Sequence, residues 1–280
     1  LRSMRLFVTI AMKVHIKIIV ATSIKFWGEI SRELNGYNLY FNRFNDFNVY
    51  RRKEANYNKK YIKGLFKESE RLDTIFDCIE KRNITSLIER GDIVESSETF
   101  FKTIKLKNGD NILNGGGSNG DENTQFLGEI GEKGKIYSFD PFHRSVSMIP
   151  QIKVLPYVLS DKTGKVHFLY DGSRSKIVEG GNGPKELVDS VTIDQFVSRE
   201  DIKRLDFITL DVEGAEKKVL EGAKETISKF RPKLAISVYH STADFFEIPS
   251  LVSELCPDYK LDIGIYSSQG VDIMLHAHIE

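Results

Sequence analysis

The chain reads as an α/β protein built on a mostly parallel sheet, with a small α/β unit ahead of it. Three observations predict this. From Asn108 onward, apolar β-branched runs alternate with stretches of helical periodicity, the pattern of strands joined by crossover helices. Two of those runs stop abruptly on polar groups, Leu205–Leu210 at Asp211 and Leu234–Tyr239 at His240, as strands do at the rim where ligands bind in open parallel sheets. The last two strands, 259–266 and Val271–His278, are joined only by the turn Ser267–Gly270. The final strand must therefore run antiparallel to its neighbour.

The elements follow in order. Val14–Ala21 is strand-like, Phe26, Ile30 and Leu34 share a helix face, and Tyr37–Phe41 is a second short strand. Residues 42–65, rich in Asn, Tyr, Lys and Arg, close this first unit, 1–65. Leu6–Trp27 is apolar, but Lys13, His15, Lys17 and Lys25 interrupt it, and its longest uncharged piece is Ile18–Ile24. That is far short of the roughly 20 residues needed to span a bilayer, so buried strands are expected there and no membrane span. Glu68–Lys81 carries an apolar stripe of Leu72, Ile75, Phe76 and Ile79. A second helix around 84–90 ends at Gly91, and Ser97–Ile104 leads on, so 66–107 forms a helical connector.

The main domain, 108–280, begins with a strand at Asn111–Leu113 and a helix at Gly120–Ile130. Lys135–Phe139 is the second strand, Phe142–Met148 a helix, and Val154–Leu159 the third strand. Lys165–Tyr170 alternates as an added strand, and a helix begins at Thr192 after Ser190. Strand 205–210, helix 215–230, strand 234–239 and helix 243–255 precede the closing pair.

Lys and Arg together number 40, as do Asp and Glu, so no overall field recruits nucleic acid. The two cysteines, Cys78 and Cys256, match no metal spacing and read as reduced thiols of a cytoplasmic protein. Without H-x-x-H or C-x-x-C among the six histidines and two cysteines, no metal site is assigned.

The segment Asn114–Gly120 joins the first strand to its helix through Gly115, Gly116 and Gly117. Glycines allow a tight turn and a close approach of ligand to main chain, and the following helix N-terminus favours an anion. Asp140 ends the second strand, 20 residues past Gly120, the spacing of an acid that binds both hydroxyls of a ribose. Asp before Pro141 is also a common helix cap. Further on, Asp211, Glu213 and Glu216 crowd one turn, with Gly214 and Ala215 keeping the backbone slim. Glu213 and Glu216 can serve the dipole of the helix they precede, the favoured role for Glu216. Asp211, directly after a buried strand, needs partners. A neutral His240 near its usual pKa of about 6.5 would suit general base catalysis, with Asp211 the other candidate base. Asp211 could instead orient the acceptor or hold a divalent ion with Glu213, and Tyr239 is expected to pack.

Four segments, NGGGSNGDENTQF, KIYSFDP, VTIDQF and FITLDVEGAEKKVLEGAKETISKFRPKLAISVYH, make roughly residues 95–280 resemble the FkbM-type methyltransferase family. The D-V-E-G-A-E run after an apolar strand is the most specific of them. The resemblance implies a class I methyltransferase (Rossmann-like) fold, a seven-stranded mostly parallel sheet with an antiparallel last strand. It also implies S-adenosyl-L-methionine as donor and O-methylation of a small hydroxylated acceptor such as a sugar, glycolipid precursor or secondary metabolite. Carried over, Gly116 and Gly120 would lie beside the donor's methionine moiety, Asn114 at the position that helps orient its ammonium and Asp121 at the start of the first helix. Asp140 would hold the ribose, with Leu159, Ser160 and Asp161 near the adenine edge. Asp211, Glu213 and Glu216 would form the acidic corner beside the transferable methyl. Acceptor selection would fall to the loops Gly172–Lys185 and Asp244–Pro249.

The chain departs from the family pattern at Asn114, where Asp is usual, at Thr209, where Lys is frequent, and at Gly264–Ile265, where an Arg-His pair is common. These departures motivate a second class of function, a catalytically weakened member serving as a binding or scaffolding subunit. A nicotinamide-dependent oxidoreductase would use the same glycine loop, but the acidic corner and antiparallel last strand do not belong to it.

Overall fold

The computed structural model describes residues 59–66, 70–81, 103–116, 121–141, 148–170, 175–178, 185–266 and 272–279. The expected unit of 1–65, except its last residues, lies outside them. So do the helix at 84–90, Gly117–Gly120, most of Phe142–Met148 and the turn Ser267–Gly270.

The main sheet contains β1 (Asn111–Gly115), β2 (Lys135–Phe139), β3 (Ile152–Leu155), β8 (Phe207–Leu210), β9 (Lys233–Ser237), β10 (Lys260–Tyr266) and β11 (Asp272–His278), in the order β10-β11-β9-β8-β1-β2-β3. β11 is antiparallel to both β9 and β10, and the other pairings are parallel. In the central strands β1, β8 and β9 successive residues are buried on both faces, the signature of a sheet covered on both sides. Ile112, Ile136, Phe207 and Ala235 form one core with Phe126 and Ile130 of α3 (Asp121–Ile130). Leu113, Ile208, Leu234 and Ile236 face the larger core on the other side. There α4 (Ile193–Arg199) inserts Phe196 edge-on against Phe139, with centroids 4.8 Å apart. Preceding the sheet in sequence, α1 (Lys59–Leu65) and α2 (Glu70–Lys81) add Ile62, Leu72, Ile75 and Phe76 to this core.

Three features differ from the sequence expectation, each for a physical reason. The third strand divides at Pro156, which has no N–H to donate: Tyr157 N–H turns back to the Leu155 carbonyl (2.9 Å), and β4 (Val158–Leu159) joins a second sheet. That sheet has the order β4-β7-β5-β6, with β5 (Gly164–Leu169), β6 (Lys176–Ile177) and β7 (Glu186–Val191). The expected helix 215–230 is two helices, α5 (Glu216–Glu221) and α6 (Lys224–Phe230). A Cβ at Gly222 would overlap the Ser160 carbonyl, and Asp194 of α4 accepts from the N–H groups of Glu225 (3.1 Å) and Thr226 (2.8 Å). A cap supplied from another element thus restarts the helix. Finally, Asp244–Pro249 is no loop but lies within α7 (Thr242–Leu255), because Ser241 and Asp244 form a reciprocal capping box. No helix among the described residues is long and apolar enough to cross a membrane.

Far along β11, His276 is fully enclosed and lies 2.9 Å from the Tyr266 hydroxyl. Burial, then the charges of Arg71 and His278, lowers its pKa to about 3. Below the ordinary histidine value of about 6.5 the unfolded chain binds a proton that the folded chain refuses, so acid costs stability by about 1.4 kcal/mol per pH unit at this site. His276→Gln should therefore flatten the fall of the urea midpoint between pH 6.5 and 4. An identical slope in the two proteins would refute the assignment.

Candidate active site

Three strand ends meet at one level. Gly115, the last residue of β1, is in register with Phe139 of β2 and Leu210 of β8. The next residues, Gly116, Asp140 and Asp211, therefore leave the same edge of the sheet side by side. Gly116 has φ +104°, and a Cβ there would overlap the Asp211 carbonyl. Asp211 N–H donates to the Gly115 carbonyl (2.9 Å). This glycine is required first by the approach of one backbone to another.

Beneath that edge lies a buried polar chain. The Asn114 amide donates to Asn123 of α3 (2.9 Å), whose own amide donates to the Ser138 hydroxyl of β2 (2.9 Å). Asn114 thus ties β1, α3 and β2 together, and its amide also reaches the Glu122 carboxylate at 3.5 Å. Burial, then Asp211 and Asp272, push Glu122 up to about 7, against that hydrogen bond. Its side chain nevertheless has open surface, so water softens the repulsion. Ser160 and Asp161 follow β4, where the Ser160 hydroxyl donates to Asp161 (3.0 Å) beside the α5–α6 break. Asp121 opens α3, and Gly120 falls outside the described residues.

The acidic corner is built around Glu216. This carboxylate is 0% exposed and accepts from the N–H groups of Val212 (2.8 Å) and Gly214 (3.0 Å), folding the loop back on α5. Glu213 (φ +56°) and Gly214 (φ +94°) take the left-handed conformations this fold-back needs. β9 ends at Ser237, and the chain beyond it delivers Tyr239 and His240 to the same corner. His240, with a side chain only 4% exposed, has Nδ1 3.1 Å from Glu216 Oε1 and Nε2 3.3 Å from Asp211 Oδ1. Its Nε2 is also 3.4 Å from Glu213 Oε2. Tyr239 donates its hydroxyl to both Asp211 oxygens (3.2 and 3.1 Å) and lays its ring on His240, with centroids 4.3 Å apart.

The neutral histidine expected from sequence is overturned by these neighbours. Burial opposes charge on His240, but Glu216, Glu213 and Asp211 prevail and raise its pKa to about 10. At neutral pH it is an imidazolium and has no lone pair to act as base. Burial raises Asp211 to about 6, with His240 opposing and Glu216, Glu213 and Asp272 adding. Asp211 keeps 41% of its side-chain surface open, so solvent moderates that rise. Burial, then Glu216, likewise raises Asp244 to about 6.

The structure thus brings together Asp211, Glu213, His240, Gly116 and Asp140, while Asn114 serves an internal network. Sequence reasoning missed Tyr239 as the partner of Asp211, Glu216 as the buried anchor, and Glu122. Only the adjacency of Tyr239 to His240 and the first-turn position of Glu122 hinted at them. Asp211, Glu216 and His240 each offer a ligand atom within 4.8 Å of the others, a grouping that sequence spacing did not reveal.

The sequence profile of the methyltransferase FkbM domain matches residues 114–262. The chain belongs to this family. It is 24% identical over 209 residues to the 2-O-methyltransferase NoeI of Sinorhizobium fredii, a match covering 64% of this chain and 77% of NoeI. Among solved structures it is similar to a methyltransferase FkbM from Methylobacillus flagellatus, with a TM-score of 0.62 and 17% identity. That match covers 78% of this chain and 57% of the other, so the chain spans little more than half of that protein's length. The likeness establishes the class I methyltransferase-like fold with its mixed seven-stranded sheet.

If Glu216 anchors the corner, Glu216→Gln should lower folding stability by about 3 kcal/mol, because it leaves an amide against an N–H donor and strands a buried imidazolium. Glu213→Gln, at an 18% exposed side chain, should cost about 1 kcal/mol or less. Urea denaturation of both variants decides the order, and equal losses would contradict it.

Proposed function

We propose that this FkbM-family protein transfers a methyl group from S-adenosyl-L-methionine to a hydroxyl of a small acceptor, of the sugar or glycolipid-precursor class. The observation that carries this reading is the shared rim, where Asp140 and Asp211 flank the Gly116 turn at the carboxyl ends of β2 and β8. The acid-rich donor set suits a cofactor bearing a sulfonium and an ammonium. The name of NoeI, a 2-O-methyltransferase, supports an oxygen acceptor.

Asp140 would hold the ribose hydroxyls, with the Gly116 turn beside the methionine end. The donor, when bound, supplies an electrophilic methyl that needs chiefly an aligned nucleophile. Asp211 is the group suited to receive the acceptor's hydroxyl proton: it has open surface and a pKa raised toward neutrality. Tyr239 fixes the Asp211 carboxylate in place, and the sealed His240 imidazolium steadies its anionic form. The departure at Asn114 gives little support to a weakened binding subunit. That amide has its own structural work, and the Glu122 carboxylate stands 3.5 Å away.

Calorimetric titration with S-adenosyl-L-methionine should give one site per chain, weakened about tenfold or more in Asp140→Ala. Asp211→Asn should retain donor binding yet lose about 100-fold or more in labelled-methyl transfer to hydroxylated acceptors. Absence of donor binding by the wild type would overturn the reading.

A further inference from the structure

We propose that Nε2 of His240 and the carboxylates of Asp211 and Glu213 form a binding site for one divalent transition-metal ion, with Glu216 behind the imidazole. Two independent observations support it. The first is the orphaned ring. His240 is sealed, its side chain 4% exposed, yet neither ring nitrogen makes an aligned hydrogen bond. Buried polar atoms almost always find a hydrogen-bond partner, and here three carboxylates stand 3.1–3.4 Å from the ring as ion pairs without an aligned hydrogen bond.

The second is spacing. Nε2 lies 3.3 Å from Asp211 Oδ1 and 3.4 Å from Glu213 Oε2. Ligands about 2.1 Å from a common ion, at angles between octahedral and tetrahedral, stand about 3.0–3.4 Å apart. Both separations from Nε2 fall in that range, and Asp211 also stands with Glu216 and His240 in a grouping whose ligand atoms lie within 4.8 Å of one another.

The surroundings are those of a metal-binding histidine. Glu216, pinned by two backbone N–H groups, sits 3.1 Å from Nδ1, the place of the outer carboxylate that orients a ligating imidazole. Tyr239 holds Asp211 from behind. Asp211, Glu213 and Glu216 outnumber the single positive charge of His240 by two, and exchanging the Nε2 proton for an ion of charge two would halve that excess. Binding displaces the Nε2 proton, as metal binding to histidine does. One nitrogen and two carboxylate oxygens form a mixed set suited to Mn²⁺ and its first-row neighbours, with positions left for water or an acceptor oxygen. The role of the ion rests on the methyl-transfer reading: a hydroxyl on an open position would be acidified, and Asp211 would act through the ion. Binding itself does not depend on that reading.

The test uses the full chain, stripped with chelator and titrated with Mn²⁺ while the free ion is followed by electron paramagnetic resonance. About one Mn²⁺ per chain should bind. Affinity should fall about 100-fold in Asp211→Asn and in Glu213→Gln, and about tenfold in Glu216→Gln. It should be unchanged in Asp189→Asn, whose carboxylate pairs with Lys165 on the second sheet. Circular dichroism identifies which variants are folded. No saturable binding by the wild type, or equal affinity in folded Asp211→Asn and Glu213→Gln, overturns the site. The same stripped protein is titrated with S-adenosyl-L-methionine: donor binding without Mn²⁺ binding refutes the ion and spares the methyl-transfer reading, and the reverse refutes that reading and spares the ion.

Discussion

The corner depends on one carboxylate that cannot reach solvent. Glu216 is withdrawn from water at a cost that only paired partners can offset, and it has three: the N–H groups of Val212 and Gly214 and the ring of His240. The first two bend the chain after β8 into a compact loop. The third joins that loop to the segment leaving β9. β8 and β9 are neighbours in the sheet, with Leu210 opposite Ile236, so the ion pair continues above the rim a pairing that backbone hydrogen bonds make within it. Asp211 and Glu213, on the same loop, inherit their positions from this anchor.

The sheet order explains why the corner meets the glycine turn. β1 pairs with β2 on one side and β8 on the other. The chain winds outward from β1 through β2 and β3, then returns to wind the other way through β8 and β9. The order reverses at β1, where open α/β sheets leave a crevice for ligands. The buried Asn114–Asn123–Ser138 chain sits immediately below this point. A satisfied buried network fixes its elements more specifically than apolar packing alone, so α3 and the strands beneath the turn are held at a defined distance.

Much of this was legible in the chain. The apolar runs of β1, β2, β8 and β9 announce themselves, and the polar residues that end them mark the rim. The turn between β10 and β11 is short enough to dictate an antiparallel strand. Other features were hidden because their causes lie far along the chain. β7 reads as ELVDSV, with too few apolar residues to signal a strand, and it forms because β4 and β5 flank it. The break between α5 and α6 owes its cap to Asp194, about thirty residues upstream. The charge of His240 was misread for the same reason. Its usual pKa holds in water, but three carboxylates around a sealed ring reverse the preference, and no spacing in sequence reveals that they converge.

The same geometry separates the groups that can meet an acceptor from those that cannot. His240 and Glu216 are closed to solvent, and a group that no substrate can touch acts only through its neighbours. Asp211 has the opposite character. One face is bound by Tyr239 and approached by His240, and the other is open. A carboxylate fixed from behind and exposed in front is pre-organised for an incoming hydroxyl or an ion, since its orientation is settled before anything binds. The sealed charges behind Asp211 set its electrostatics, and the Gly116 turn lies against its backbone. In the proposed methyl transfer, chemistry at this rim would converge on Asp211, and the identity of the acceptor would be left to the segments that border its open face.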